Sequence, residues 1–205
     1  MFHVKTPPLL KFKSFIGAEI NTALTDLGLL RIRVFHDFPY LYEGDLAHEK
    51  EYLKTYAHSE KAFVFAAYHG EMMVGATTCI PLADETPDVQ QPFLKNELDI
   101  EKIFYFGESI LLPAYRGMGL GHRFFEEREA HVRSYQTFQS TCFCSVHPGG
   151  NHPAQPAGYR PHDVFWTKRG YQKDTSLQCQ MEWLDVGMDV PTSKKLIFRK
   201  KDLNQ

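Results

Sequence analysis

The chain carries the stretch Arg116-Gly117-Met118-Gly119-Leu120-Gly121, which follows an apolar run over residues 103–112. The run predicts a strand, and the apolar spacing over residues 117–134 predicts a helix that starts at the glycines. Glycines let a ligand approach the backbone, and the first N–H groups of a helix have no partner within the helix. The helix dipole adds partial positive charge there. We therefore expect this turn to bind a pyrophosphate.

The spacing of the glycines separates this turn from two common nucleotide-binding loops. The dinucleotide fingerprint needs G-x-G-x-x-G and the P-loop needs G-x-x-x-x-G-K-[ST], whereas this turn reads G-x-G-x-G and is followed by His122. Arg116, Gly119 and Gly121 match [RQ]-x-x-G-x-[GA], and residues 111–117, Leu-Leu-Pro-Ala-Tyr-Arg-Gly, are similar to V-x-P-x-Y-R-G. Both patterns are those of the GNAT superfamily of N-acetyltransferases, which the sequence therefore resembles.

The resemblance implies an α/β fold with a mixed central sheet flanked by helices. In this fold the motif strand splays from its neighbour before the pyrophosphate-binding turn and helix. The order of predicted elements agrees: a helix from about residue 20 to 38, a helix over 46–58 capped by Asp45, and a hairpin around Gly70. Residues 81–99, with three prolines, are expected to form a surface connection with one helical turn near 92–98. After the motif come a strand over 141–146, a helix over 163–169 ending at Gly170, and strands near 176–184 and 195–199. We expect one domain over residues 1–205, with a leader over 1–17 and a long Pro/Gly-rich loop over 147–162.

Composition excludes several other classes of protein. The 205 residues carry a formal net charge of −2, which gives no basic field for nucleic acid. No apolar run approaches the roughly 20 residues of a membrane-spanning helix, so we expect no membrane partner. The four cysteines form no CxxC pair and no secretory signal is recognisable, which favours a reducing cytoplasm. Cys142, Cys144, His147 and His152 lack the knuckle spacing of a zinc site, so we expect no metal.

Acetyl-CoA is the cosubstrate that the resemblance implies. Main-chain groups of Ile110, Leu111 and Leu112 would pair with its pantetheine arm, and an N–H near Leu111 would polarise the thioester carbonyl. The resemblance also implies direct attack by a neutral amine within a ternary complex, without a covalent enzyme intermediate. The pyrophosphate would bind the backbone N–H groups of Arg116, Gly117, Met118, Gly119, Leu120 and Gly121.

The groups that transfer protons are less well defined by the sequence. Glu108 is the one carboxylate of the motif strand and is a candidate general base, but strict alternation places it on the face opposite Leu111 unless a bulge shifts the register. Tyr105 or a water relay could replace it. Trp166 stands where many family members have a tyrosine acid, and an indole N–H cannot serve as that acid. Trp166 would then pack against pantetheine or the core, and Tyr159, Tyr105 or solvent would supply the proton.

Two loops are candidates for binding the amine acceptor, a small molecule or, as the second choice, a peptide. The aromatic loop over residues 38–44 has rings and a carboxylate that suit a cationic amine, although its rings could equally serve the core. The loop over 147–162 either shapes the acceptor pocket or is a proline-stiffened surface loop. A non-catalytic acyl-CoA-binding module, a hydroxyl acceptor or a longer acyl group stays open, as does a homodimer formed through the strand near 195–199. The candidate acceptor-binding residues are Tyr40, Tyr42, Glu43, His147 and Asn151.

Overall fold

The fold is built on a mixed seven-stranded sheet of order β1-β2-β3-β4-β5-β7-β6. It is given by a computed structural model that describes residues 8–147 and 152–203. Its strands are β1 Lys11–Ile16, β2 Phe63–His69, β3 Met72–Pro81, β4 Ile103–Leu111, β5 Ser140–Val146, β6 Gln172–Trp183 and β7 Thr192–Asp202. Its helices are α1 Leu24–Phe35, α2 Leu46–His58, α3 Pro87–Lys95, α4 Leu120–Ser134 and α5 Asp163–Lys168. The predicted fold class is confirmed.

Strand β4 separates from β5 soon after the two strands have paired. They are parallel and in register only from Ile103 opposite Ser140 to Tyr105 opposite Cys142. Beyond that point β5 continues to pair with β7 as far as Val146, while β4 stays paired with β3. The second half of β4 therefore has a free backbone edge on the side of β5, as the resemblance implied.

The two faces of the sheet bury two separate apolar clusters. Helices α1, α2 and α3 cover one face, where Leu27, Leu53 and Phe93 are fully buried. Helix α4 covers the other face with Phe124 and Phe125. Because β4 is central and belongs to both clusters, its alternating side chains reach both faces of the sheet.

Helix α2 and the hairpin lie where the sequence predicts them. The side chain of Asp45 caps α2 by accepting a hydrogen bond from the N–H of His48 at 2.9 Å. The hairpin turns at Gly70, whose φ of +62° favours glycine.

Three segments differ from the expectations. Part of the leader over residues 1–17 forms the edge strand β1, which pairs with β2 although most of its side chains are exposed. Helix α3 is longer than the single turn expected near residues 92–98 and starts with Pro87 at its first position. Strand β7 lies between β5 and β6, so both of its edges are paired and it cannot join a second copy of the chain by edge pairing.

Candidate active site

The glycine turn presents free backbone donors to solvent. Gly117 and Gly119 have φ of +78° and +80°, a left-handed conformation that favours glycine. No side chain caps the start of α4. Within the described residues, the N–H groups of residues 117–121 donate to no backbone carbonyl. Free N–H groups and the dipole of α4 are the features that the predicted anion site requires, and binding of an anion there stays a prediction.

Two cavities lie near this turn. The larger one, of about 780 Å³, is strongly basic, because Arg160, Lys168, Arg169 and Lys201 line it together with His122. The smaller one, of about 610 Å³, lies between the N-terminal segment and the turn and is lined by Pro8, Leu9, Leu10, Phe12, Met118, Gly119, Leu120 and Arg123. An anion bound at the turn therefore has a basic groove beside it.

The free edge of β4 directs backbone groups into the space next to β5. The N–H of Leu112 donates to Val74 of β3 at 2.9 Å, and backbone groups of neighbouring strand residues point in opposite directions. The N–H of Leu111 is therefore directed away from β3, towards the gap between β4 and β5. The side chain of Arg116 folds back so that its Nε donates to the carbonyl of Leu111 at 3.3 Å.

A bulge in β4 brings Glu108 to the face covered by α1 and α2. Ser109 pairs with Thr77 and Phe106 pairs with Cys79, so two residues of β4 lie opposite Thr78 alone. Side chains satisfy the backbone groups of Glu108, since Thr78 Oγ1 accepts from its N–H at 3.1 Å and Thr77 Oγ1 donates to its carbonyl at 2.8 Å. Glu108 lies on the face opposite Leu111, which packs in the α4 cluster, so the alternation from Leu111 holds as expected. The bulge shifts the register relative to Phe106 and so places Glu108 on the same face as Tyr105.

Glu108 lies in a buried cluster of charges. Its side chain is 5% exposed, and Oε1 lies 2.7 Å from Nη1 of Arg31 in α1. That contact lies outside hydrogen-bond geometry, so Oε1 has no hydrogen-bond partner among the described residues. Arg31 also forms an ion pair with Glu49 of α2, which is 2% exposed. Burial acts to lower the pKa of Arg31, but the carboxylates of Glu108 and Glu49 raise it well above its usual value.

A second carboxylate lies in the same region. Glu85 is 4% exposed, and its Oε1 accepts hydrogen bonds from the hydroxyls of Tyr52 and Tyr56, each at 3.2 Å. Burial raises its pKa above the usual value. Tyr105 lies nearby on β4, and its hydroxyl is 3.2 Å from Sγ of Cys144 on β5. Burial also raises the pKa of the Tyr105 hydroxyl.

The two candidate acceptor loops pack against each other beside this cluster. The ring of Phe38 contacts Tyr159 with the centroids 4.8 Å apart and His152 with the centroids 5.7 Å apart. The indole N–H of Trp183 donates to the carbonyl of Tyr40 at 3.0 Å. Burial raises the pKa of the Tyr40 hydroxyl, with smaller contributions from Cys144 and Glu108. The ring of Tyr40 lies 4.5 Å from that of Phe35 between centroids, and Phe35 in turn packs against Arg31 of the cluster.

The remaining residues predicted for the site have no described contact with Glu108 or are not described. Tyr42 faces Glu49. Burial, and to a smaller extent the carboxylate of Glu49, raise the pKa of the Tyr42 hydroxyl. Glu43 is exposed, and its N–H donates to Leu184 at 2.8 Å. His147 is exposed at the end of β5, and Asn151 lies outside the described residues.

Trp166, which occupies the tyrosine position of the family motif, packs on the face of the sheet covered by α4. Its ring contacts Phe143, with the centroids 5.2 Å apart, and the guanidinium of Arg199 lies 4.4 Å from its ring centroid. These contacts assign Trp166 to packing beside β5.

Sequence analysis missed Arg31, Glu49 and Glu85. The first two had a recognisable signal, since Arg31 continues the apolar stripe of α1 between Leu27 and Val34, and Glu49 lies on the stripe of α2. A charged residue at a buried stripe position must be paired, which makes it a marker of a polar site. Glu85 lies in an irregular connection and has no such signal.

The described residues hold no group of three or more His, Cys, Asp or Glu side chains that could bind a metal ion. None of the helices in these parts of the chain has both the length and the apolar character needed to cross a membrane. All four cysteines are free thiols.

Comparison with known proteins finds the fold and no sequence relative. No protein-family model matches the sequence, and no curated protein sequence matches it. NAA60 of Arabidopsis thaliana in complex with acetyl-CoA superposes with a TM-score of 0.61 at 13% identity, over 96% of this chain and 100% of that one. Ribosomal-protein-alanine N-acetyltransferase of Brucella melitensis gives 0.59 at 14% identity, over 95% and 99%. An acetyltransferase of the GNAT family from Streptococcus pneumoniae gives 0.58 at 14%, over 95% and 100%. The chain therefore has the GNAT fold.

Proposed function

We propose that this chain, which has the GNAT fold, is an acetyl-CoA-dependent N-acetyltransferase that acts on the primary amine of a small molecule. One observation carries the proposal. The turn over residues 116–121 offers free N–H groups at the start of α4, directly after a strand whose edge is free. Because the four cysteines are free, we also propose that the protein acts in a reducing cytoplasm.

The cosubstrate fits the turn and the free edge of β4 together. Its pyrophosphate would accept hydrogen bonds from the backbone between Arg116 and Gly121, and its pantetheine arm would run beside Ile110, Leu111 and Leu112. The N–H of Leu111 would donate to the thioester oxygen, a contact worth about 3 kcal/mol when it strengthens in the transition state. The basic cavity that contains Lys168 would take the 3′-phosphate of the adenosine.

The reaction would be direct attack in a ternary complex. The amine nitrogen bonds to the thioester carbonyl carbon, giving a tetrahedral oxyanion, and the carbon–sulfur bond then breaks to release the thiolate of CoA. Glu108, which the bulge turns to the acceptor side of β4, would take the proton of the amine directly or through a water near Tyr105. Tyr159 or Tyr105 would protonate the thiolate. Contacts to the acceptor would come from Tyr40, Tyr42, Glu43, His147 and Asn151.

A titration with CoA and an assay of thiol release across a panel of amines test this proposal. We expect CoA binding and acceptor-dependent release of free thiol, and Glu108→Gln should lower kcat by about a hundredfold or more while leaving CoA binding intact. Glu51→Gln, on the exposed side of α2 with a side chain that is 74% exposed, is the control and should change neither. A protein that neither binds CoA nor releases thiol with any amine contradicts the proposal.

A non-catalytic module that binds acyl-CoA is the second candidate. It is favoured by Trp166 at the position of the usual tyrosine acid, and by the partial neutralisation of Glu108 by Arg31. CoA binding without thiol release from any amine would support this module. Acceptor-dependent release would exclude it.

A further inference from the structure

We infer that the acceptor is a small primary amine with an apolar or aromatic body and no carboxylate beside the amine, bound through its nitrogen to Oε1 of Glu108. This inference rests on the proposed function and names the substrate class of that site. Three observations carry it: the charge of the cluster, the unpartnered oxygen and the closed ring-lined surroundings.

The cluster around Glu108 has an excess of negative charge. Glu49 and Glu108 both face Arg31, so one guanidinium balances two carboxylates. The other cation near Glu108, Arg128 of α4, lies on the opposite face of the sheet and donates to the main-chain carbonyl at 3.4 Å, not to the carboxylate. Arg31 is also enclosed by rings, 4.7 Å from the centroid of Tyr52 and 5.0 Å from that of Phe35. No cation is therefore free to bind a carboxylate of the acceptor, whereas an ammonium group would neutralise the excess.

Oε1 of Glu108 is a buried oxygen that needs a donor. It has no hydrogen-bond partner among the described residues, and its side chain is only 5% exposed. A buried carboxylate oxygen without a donor is costly, and charge-assisted N–H donors satisfy it best. A primary ammonium supplies such a donor at the point where, in the proposed reaction, its proton must be taken up.

The surroundings are apolar and closed, which favours a small acceptor over a polypeptide. The rings of Phe38 and Tyr159 contact each other and join the two loops beside the cluster. The aromatic loop is also tied to the end of β6, since Glu43 donates to Leu184 at 2.8 Å and Val186 donates to Leu41 at 2.7 Å. An extended peptide needs an open groove, whereas rings around a carboxylate suit a compact cationic amine.

Matched pairs of acceptors test the inference on the wild-type chain. Phenethylamine with phenylalanine, tyramine with tyrosine, and histamine with histidine differ only by the α-carboxylate, and phenylalaninamide controls for its size. Each is assayed for thiol release with acetyl-CoA, and a short peptide with a free N-terminus is included. We expect kcat/KM of each amine to exceed that of its amino acid by at least about tenfold, with the amide close to the amine.

Two variants separate the charge of the cluster from other causes. Glu49→Gln lowers the negative charge beside Arg31 by one unit and should reduce the preference for the amine over the amino acid by about tenfold. Glu51→Gln, two residues away and exposed, should leave that preference unchanged.

The possible outcomes are distinct. Amino acids acetylated as well as their amines, or the peptide acetylated best, would overturn the inference and leave the proposed function standing. An absence of thiol release with every acceptor would overturn both.

Discussion

Buried charges define the site at the level of single residues. Arg31, Glu49 and Arg128 each take a position on the apolar stripe of a helix, and each is nearly or fully enclosed. Burial lowers the pKa of Arg128 to about 10, and its Nη1 donates to the carbonyl of Glu108 at 3.4 Å. Arg31 acts on the same residue from the other face of the sheet, through the carboxylate. Two buried cations therefore hold one residue of the bulge from both sides.

Glu85 gives a pH-dependent prediction. Burial raises its pKa in the folded state above the value in the unfolded chain, so its contribution to stability is present at low pH and is lost as pH rises through the folded pKa. Glu85→Gln removes this loss. We expect the free energy of unfolding of the variant, relative to wild type, to increase between pH 4 and pH 8 in urea titrations. The amide of the variant also changes the hydrogen bonds from Tyr52 and Tyr56, which shifts its free energy of unfolding by an amount that does not depend on pH. A difference between variant and wild type that stays the same at every pH therefore contradicts the prediction.

At the level of elements, a feature could be predicted from the sequence when the residues that cause it are close together along the chain. The turn over residues 116–121 could be predicted because its glycine spacing lies within six residues. The bulge at Glu108 could be stated only as an alternative to strict alternation, because the register of β4 at this point is set by Thr77 and Thr78 on β3. Strand β1 was missed because it is an edge strand with most side chains exposed, which leaves little hydrophobic pattern to recognise.

Gly119 provides the prediction for the turn. Its φ of +80° costs an alanine about 1 kcal/mol, although no atom lies within 4 Å of the added Cβ. Gly119→Ala should therefore lower Tm by a few degrees and weaken CoA binding by at least about tenfold, because relaxation of the strain turns the N–H groups away from the phosphate.

Gly70 offers a matched control, since it has φ of +62° and equally open surroundings in the turn between β2 and β3. Gly70→Ala should lower Tm to a similar extent and leave CoA binding unchanged in calorimetric titrations. Equal CoA affinity in both variants would show that the turn does not contact the cosubstrate.

At the scale of the whole molecule, a net charge of −2 conceals a strong local separation of charge. The cavity beside the turn gathers four Lys and Arg side chains, whereas the cluster under the two loops has more carboxylates than cations. Net charge could not predict this division. It arises because α5 and β7, which are distant from the turn in sequence, place Lys168 and Lys201 beside it.

The basic cavity gives a prediction that separates two forms of the cosubstrate. Lys168→Ala should weaken binding of CoA by about fivefold, which corresponds to about 1 kcal/mol for an exposed ion pair, and should leave 3′-dephospho-CoA unaffected. The effect of Lys168→Ala on CoA binding should be smaller at high ionic strength, because salt screens the attraction between the ammonium group and the 3′-phosphate. Titrations of both ligands at low and high salt provide the measurement. An equal loss for the two ligands would show that Lys168 does not contact the 3′-phosphate.

The parting of β4 from β5 has a consequence for how such a protein can evolve. Peptide groups, which every residue has, form the free edge of β4 and the donors of the turn, so most substitutions leave them in place. Sequences can therefore differ as widely as the 13% and 14% identity seen with the Arabidopsis and Brucella structures while the fold stays the same. The proposed acceptor contacts are side chains, which single mutations can replace. Mutation would then preserve the proposed backbone site for the cosubstrate and change the proposed acceptor more easily.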